Sequence, residues 1–262
     1  MTTLRKPSSG NPDCIDWTLE MKDDFPASEK EDLLWQMSHE LVHLLGAAHA
    51  PTGMTITHML WQLSHQPQYL DPLRHEAQNA ISRFGFTGKI VDHLPFLDSF
   101  ITETNRLFPN NKLGLPRLVS GSDFTFHDGL TVPAGTRIAF PIQEFLRDQE
   151  IFDNPDRFDS FRFVHLKESD ARTEEGVNTW RASHANKWNL AFGYGNHGCP
   201  GRFFAVRLIK MIFVKLLVDY NFQSDWPHDG IPPGLEMEGA LIPNINARME
   251  FTRRSRLAGA HG

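Results

Sequence analysis

From Lys30 onward the chain changes from polar to periodic. Leu33, Met37, Leu41 and Leu45 recur every fourth residue, which places them on one face of a helix. Helical spacing resumes over residues 52–66 and 71–84, and again over 96–108, where Pro109 ends it. The period then shortens. FTFHDGLTVPAGTRIAFP, residues 124–141, alternates apolar and polar side chains around His-Asp-Gly and Pro-Ala-Gly turns, and predicts short antiparallel strands. Residues 148–190 follow no period. Residues 202–220 are apolar nearly all round and predict a buried helix. Residues 241–252 have weak strand character. The expectation is a mainly α fold with minor antiparallel β, as one domain over residues 29–262 behind a loose polar lead-in, residues 1–28.

Composition narrows the function classes. Of 262 residues, 40% are apolar, enough to build a core, and the formal charge of −6 offers no footprint for nucleic acid. The two cysteines, Cys14 and Cys199, lie far apart, which argues against a disulfide framework and for a reducing compartment. MTTLRKPSSGNPDC at the start has no apolar core of a signal peptide. The most apolar stretch, residues 208–218, is interrupted by Lys210 and Lys215 and is too short to span a bilayer. An intracellular protein without a signal peptide or transmembrane segment is expected.

AFGYGNHGCPGR, residues 191–202, sets Cys199 among four glycines and a proline, just before the apolar helix. One reading is a buried, inert thiol. The other is a thiolate ligand. A helix start at Gly201 supplies unpaired N–H groups and the positive end of a dipole, which stabilise a thiolate. Gly193, Gly195, Gly198 and Gly201 let the backbone close around a sulfur and a flat cofactor. Phe192 is placed to stack on such a cofactor, and His197 to donate to a carboxylate at its edge.

Phe192-Gly193-x-Gly195-x-His197-x-Cys199-x-Gly201 resembles the haem-binding signature of the cytochrome P-450, or haem-thiolate monooxygenase, family. Two further segments stand in that family's order. Glu103-Thr104-Asn105-Arg106 resembles its E-x-x-R, whose side chains share a helix face at i, i+3. FDSFRF, residues 158–163, resembles the segment that supplies a second arginine, with Arg162 in its place and Arg157 as a rival; Ser160 stands where the family usually has proline. Read alone, the 103–106 pair would be an exposed ion pair of little weight. Arg117, after Pro116, aligns with an arginine that in relatives pairs a haem propionate.

The resemblance implies the C-terminal half of a cytochrome P-450 fold, with haem iron held by Cys199. Phe192, Gly193, His197, Gly201 and Arg117 would line the cofactor, and Glu103, Arg106 and Arg162 would form a structural triad. It also implies an apolar small-molecule substrate and an NADPH-dependent reductase as electron donor. The texture is closest to fungal natural-product oxidases, and full-length relatives are commonly anchored in the endoplasmic reticulum.

The chain departs from the family in two places. On the distal helix, GAAHAPTGMTITHML, Ala50 and Pro51 stand where the family has an acid or His and a Thr, which leaves Thr52 as the catalytic candidate, with His49 or Thr52 able to fill the role if the alignment slips by one residue. Neither Ala50 nor Pro51 relays a proton, and Pro51 removes a helix hydrogen bond. The chain also has about half the family's length. Hence three readings: a monooxygenase, truncated or impaired, with another chain as a candidate partner that completes the fold; a non-catalytic haem-binding remnant; and a zinc metallopeptidase. The third rests on HELVHLLGAAH, whose His39, His43 and His49 with Glu40 spell H-E-x-x-H-x-x-G-x-x-H. Against it, no strand pattern precedes His39, and the sequence after His49 stays helical.

Overall fold

A computed structural model describes Asp16 and residues 30–169 and 181–254, with the side chains of 30–34 and 167–169 outside the description. Most of the polar lead-in, Cys14 included, lies outside the described residues. The chain forms two compact units, Met1–Ala50 and Pro51–Gly262. In the first, the described residues are helical from Lys30; Met37 is buried, whereas Leu45 is 70% exposed. The periodic face expected there is therefore only partly covered.

The longest helix, α1, spans Lys30–His65 with Pro51 inside it. Pro51 offers no N–H to the carbonyl four residues earlier, yet the helix continues through it. Within the second unit the mainly helical expectation holds. Four elements build the core: the end of α1, α2 (Leu70–Phe84), α3 (Pro95–Leu107) and α6 (Arg202–Asp219). Leu73, Ala77 and Ala80 of α2 are buried at helical spacing, and α2 packs on α6. On α3 the nine consecutive positions Ser99–Leu107, beyond its first turn, are all buried, Phe100 and Ile101 fully so. Val206, Ile209, Phe213, Val214 and Leu217 bring α6 into the same cluster. Burying one such side chain contributes about 1.5–3 kcal/mol.

Polar side chains fix how these helices end. Glu76 of α2 accepts from Phe96 N (2.7 Å) and Leu97 N (2.9 Å), capping the unpaired amides at the start of α3. Arg74 donates to Leu217 O (3.0 Å) and Tyr220 O (2.9 Å), capping the end of α6. Lys210 of α6 donates to Val91 O (3.1 Å) and pairs with Asp98 of α3.

The strands form small antiparallel pairs: β1 (Leu113–Leu118) with β4 (Arg137–Pro141), β2 (Phe124–Thr125) with β3 (Thr131–Val132), β5 (Tyr220–Ser224) with β8 (Met249–Arg253), and β6 (Leu235–Met237) with β7 (Ala240–Ile242). The strands expected over 124–141 are present. β1 and β5 are strands that the polar–apolar pattern does not announce. β1 carries a bulge between Gly114 and Arg117, with Leu115 at φ 51°, and so shows no clean alternation. Two short helices follow β4: α4 (Ile142–Leu146) and α5 (Arg162–Ser169). The latter lies in the stretch without a period. Ile142, Leu146, Phe152, Phe163 and Leu190 gather there into a second cluster. Apolar contacts with α4 and the following loop, rather than periodicity, make this segment fold.

Candidate functional site

The loop before α6 is built by backbone geometry. Gly193 N donates to Leu190 O (2.9 Å), and the chain turns at Gly193, φ 76°. A Cβ there would stand 3.0 Å from His197 O, so glycine is required on two counts. A single 3-10 turn follows at Gly195–His197, closed by Gly198 N to Gly195 O (3.0 Å). Cys199 N then donates back to Phe192 O (2.7 Å), bringing the thiol-bearing residue beside the aromatic one. Phe192 packs against the main core. Gly201 caps α6 with nothing but backbone.

Cys199 is a free thiol, half-buried, and belongs to neither hydrophobic cluster. Its Sγ lies 3.9 Å from where a Cβ of residue 201 would stand, at the amino end of the 18-residue helix α6. The unpaired amides and the positive end of the α6 dipole lie at this end of the helix. Arg202, which the sequence motif leaves without a role, donates from Nη1 to Cys199 O (2.7 Å) and stacks on the Phe203 ring at 4.4 Å. A basic residue directly after C-P-G is the signal that points to it. Phe203 and Phe204 are exposed, as is His197.

A second polar centre lies on α3. Arg106 donates to both oxygens of Glu103, from Nε at 2.7 Å and Nη2 at 2.9 Å. Arg162 Nε meets Glu103 Oε1 at 3.2 Å, and Asp159 N donates to the same oxygen at 2.9 Å. Arg106 also donates to the carbonyls of Leu146, Pro155 and Arg157, and Arg162 to those of Asp153, Asn154 and Arg157. The two arginines thereby satisfy an irregular stretch of backbone that has no ladder of its own. Arg157, the rival, contributes its carbonyl, while its side chain is exposed. Glu103 is fully buried and the Arg106 side chain is 1% exposed, so this is not the surface ion pair that spacing alone suggested. Such a buried group is tolerated because each charge is paired and hydrogen-bonded.

No hydrogen bond or ion pair among the described residues joins Thr52 or Arg117 to these two centres. Thr52 is buried on α1. Arg117 is exposed on β1 and turns its Nη1 back on Pro116 O at 2.8 Å. The histidines of the zinc reading lie on one continuous helix. His49 sits ten residues beyond His39, about 15 Å along the axis, too far for shared bonds of about 2 Å. His39 and His43 instead place Nδ1 against the carbonyls of Trp35 and His39, both at 3.1 Å. Among the described residues no three His, Cys, Asp or Glu side chains converge on a metal position. The zinc reading is withdrawn on that geometry.

The family model for cytochrome P450 matches residues 2–251. The chain belongs to the cytochrome P450 family. It is 38% identical over 248 residues to cytochrome P450 monooxygenase sirB of Leptosphaeria maculans, an alignment covering 94% of this chain and 46% of that one. It is 33% identical to cytochrome P450 monooxygenase paxP of Penicillium paxilli, over 93% of this chain and 45% of the relative. Ent-kaurene oxidase of Gibberella intermedia is 30% identical over 94% of this chain and 45% of its own length. The P450 fold also matches retinoic acid-bound cyanobacterial CYP120A1, with a TM-score of 0.63 and 23% identity, over 81% of this chain and 45% of that one. The chain thus spans under half the length of the P450 relatives it matches. Among the described residues, no helix of this P450 chain is long and apolar enough to cross a membrane.

The residues present fit a haem-thiolate centre. The thiol is unpaired, lies outside the packed hydrocarbon, and stands in a loop whose tightest turn has no room for a Cβ.

Proposed function

We propose that this P450 chain carries the haem-thiolate portion of a monooxygenase that oxidises an apolar small molecule in fungal secondary metabolism. The observation that carries the reading is the position of Cys199. It is a free, half-buried thiol at the amino end of α6, tied to Phe192 by a 2.7 Å backbone bond. When bound, haem supplies dioxygen activation, and a thiolate ligand lends electron density that favours O–O cleavage.

The chain's own residues do the holding. The first turn of α6, without a side-chain cap, presents its unpaired amides next to the Cys199 loop. Gly193 and Gly195, at φ 76° and 62°, set the loop's path, and Arg202 anchors it through the Cys199 carbonyl. Phe192, Gly193, His197, Gly201 and Arg117 are assigned to the cofactor's surroundings. Glu103, Arg106 and Arg162 hold the preceding meander in place. Thr52 is assigned to hold a proton at its hydroxyl, with His49 as the alternative, where Ala50 and Pro51 have no such group. A reductase drawing on NADPH supplies electrons, and a further chain, or the portion its relatives have in addition, completes the substrate pocket. Ala50 and Pro51 favour a second reading, haem uptake without turnover.

The test is the absorption spectrum of the reduced, carbon monoxide-bound chain. Thiolate ligation gives a strongly red-shifted main band that Cys199→Ser abolishes. A normal-position band, or a red-shifted band surviving in Cys199→Ser, overturns the assignment. Turnover with a reductase then separates the monooxygenase from the remnant.

A further inference from the structure

A cavity of about 400 Å³ opens between α2, the 3-10 turn Gly88–His93 and the start of α3. None of its lining residues belongs to the Cys199 loop or to the Glu103 centre. Its apolar wall is flat and aromatic. Phe84 and His93 stack with ring centroids 4.2 Å apart and planes 14° from parallel. Phe96, 36% exposed, adds a third ring at the rim. The volume lies within the range of small-ligand sites.

The charges on the wall decide what kind of molecule suits it. Glu76 is the one acid, and it spends both oxygens on Phe96 N (2.7 Å) and Leu97 N (2.9 Å). Burial raises it to about 7, against the pull of those amides, so on the acid side of neutrality it is largely uncharged. Arg83 is the one lining group of fixed positive charge. Its guanidinium carbon stands 5.2 Å from the Phe84 centroid, and no carboxylate among the described residues pairs with it. Asn79 lies one turn before Arg83 on the same helix face. It turns one N–H on His75 Nδ1 at 3.3 Å and has a second to offer. Arg83, Asn79, His75 and His93 are all exposed, so a molecule in the cavity reaches each of them from solvent.

We propose that this cavity binds a flat aromatic monocarboxylate. One guanidinium fork matches one carboxylate in shape and in charge, whereas a phosphate dianion would keep a charge unpaired. The free Asn79 N–H adds a donor in the same cavity. The Phe84–His93 pair and Phe96 offer ring faces and edges on which an aromatic body packs. A cation is disfavoured twice, by Arg83 and by a carboxylate already committed to two amides.

The probe is 2-naphthoate, titrated by its fluorescence against the whole chain on the acid side of the value of about 7 to which burial raises Glu76. Naphthalene and 2-naphthylmethylammonium are titrated alongside. Saturable 1:1 binding of 2-naphthoate is expected, with the other two each at least about fivefold weaker. Arg83→Gln removes the charge at nearly the same length. It should weaken 2-naphthoate about fivefold and leave naphthalene unchanged. If Arg83→Gln fails to fold by circular dichroism, added sodium chloride on the wild type decides, since it should weaken 2-naphthoate and not naphthalene. His93→Ala removes one ring of the stack and should weaken both. Cys199→Ser should leave binding intact, which separates this site from the haem assignment. Equal binding of naphthalene, preference for the ammonium, full binding in Arg83→Gln or His93→Ala, sensitivity to Cys199→Ser, or no saturable binding to the folded wild type overturns the proposal.

Discussion

Arg162 and Glu103, 59 positions apart, meet at 3.2 Å in a carboxylate site that is fully buried on the glutamate side. Arg106 occupies the other flank of the same carboxylate. One acid thus pairs with two guanidinium groups and balances one of their two charges, and both groups also donate to carbonyls between Leu146 and Arg157. The charges are worth more as an organiser of backbone than as an isolated attraction.

Removing the acid alone should therefore be severe. Glu103→Ala leaves two cations facing each other with little water, and a loss of about 3–5 kcal/mol is expected from urea unfolding. Arg157→Ala, whose side chain is exposed and whose carbonyl survives the change, should stay within about 0.5 kcal/mol of wild type. Equal effects of the two substitutions would refute the assignment of Arg162 over Arg157.

The resemblance to the family's E-x-x-R made Glu103 and Arg106 visible, and a helix puts i and i+3 on one face. It did not reveal their burial, which depends on segments more than 40 positions away. The helices were legible for the same reason: Leu73, Ala77 and Ala80 lie inside, as their periodicity implies. The loop 191–202 was legible because its glycines and proline are local instructions. β1 was not, because its bulge at Leu115 breaks alternation. Nor was α5, whose place is set by Phe163 joining a cluster with Leu146 and Leu190. Arg83 and His93 carry no motif; only the fold brings them to one cavity.

The thiol loop yields a graded prediction. Gly193 and Gly195 both have positive φ, but only Gly193 is crowded, with His197 O 3.0 Å from where an added methyl group would stand. Gly195→Ala should cost about 1 kcal/mol, the conformational penalty alone. Gly193→Ala adds a backbone clash and should cost about 2–3 kcal/mol, with haem uptake lost first. Titration with haem and urea unfolding check both; a Gly195→Ala variant that is the worse of the two contradicts the loop geometry.

Arg202 invites a test of positioning. Its side chain holds the Cys199 carbonyl, not the sulfur. Arg202→Met should keep the fold and the thiol, yet loosen the turn at Cys199. Alkylation of the thiol should then speed up about threefold or more, since net removal of one hydrogen bond to a charged group is worth about 1.5–3 kcal/mol before relaxation. Unchanged alkylation kinetics would show that Cys199 N to Phe192 O suffices to hold the turn.

Two buried groups set opposing pH dependences. His58 is depressed from 6.5 to about 4 by burial, so the folded state keeps it neutral. The unfolded chain binds more protons in that window. Stability from His58 is complete above pH 6.5 and is lost as pH falls through about 4, by about 3 kcal/mol in full. Glu76 runs the other way. Burial raises it from 4.5 to about 7, against the amides of Phe96 and Leu97 that pull it down. The folded state holds that proton more tightly, so stability is complete below pH 4.5 and is lost as pH rises through about 7. Between pH 4.5 and 6.5 the two slopes oppose, and the wild-type urea midpoint should be nearly flat. Glu76→Gln keeps a carbonyl for the α3 amides and removes one slope, so its midpoint should fall steadily on acidification. His58→Phe should show the reverse, a midpoint that rises. Parallel profiles for the three proteins would mean that neither group titrates away from its ordinary value.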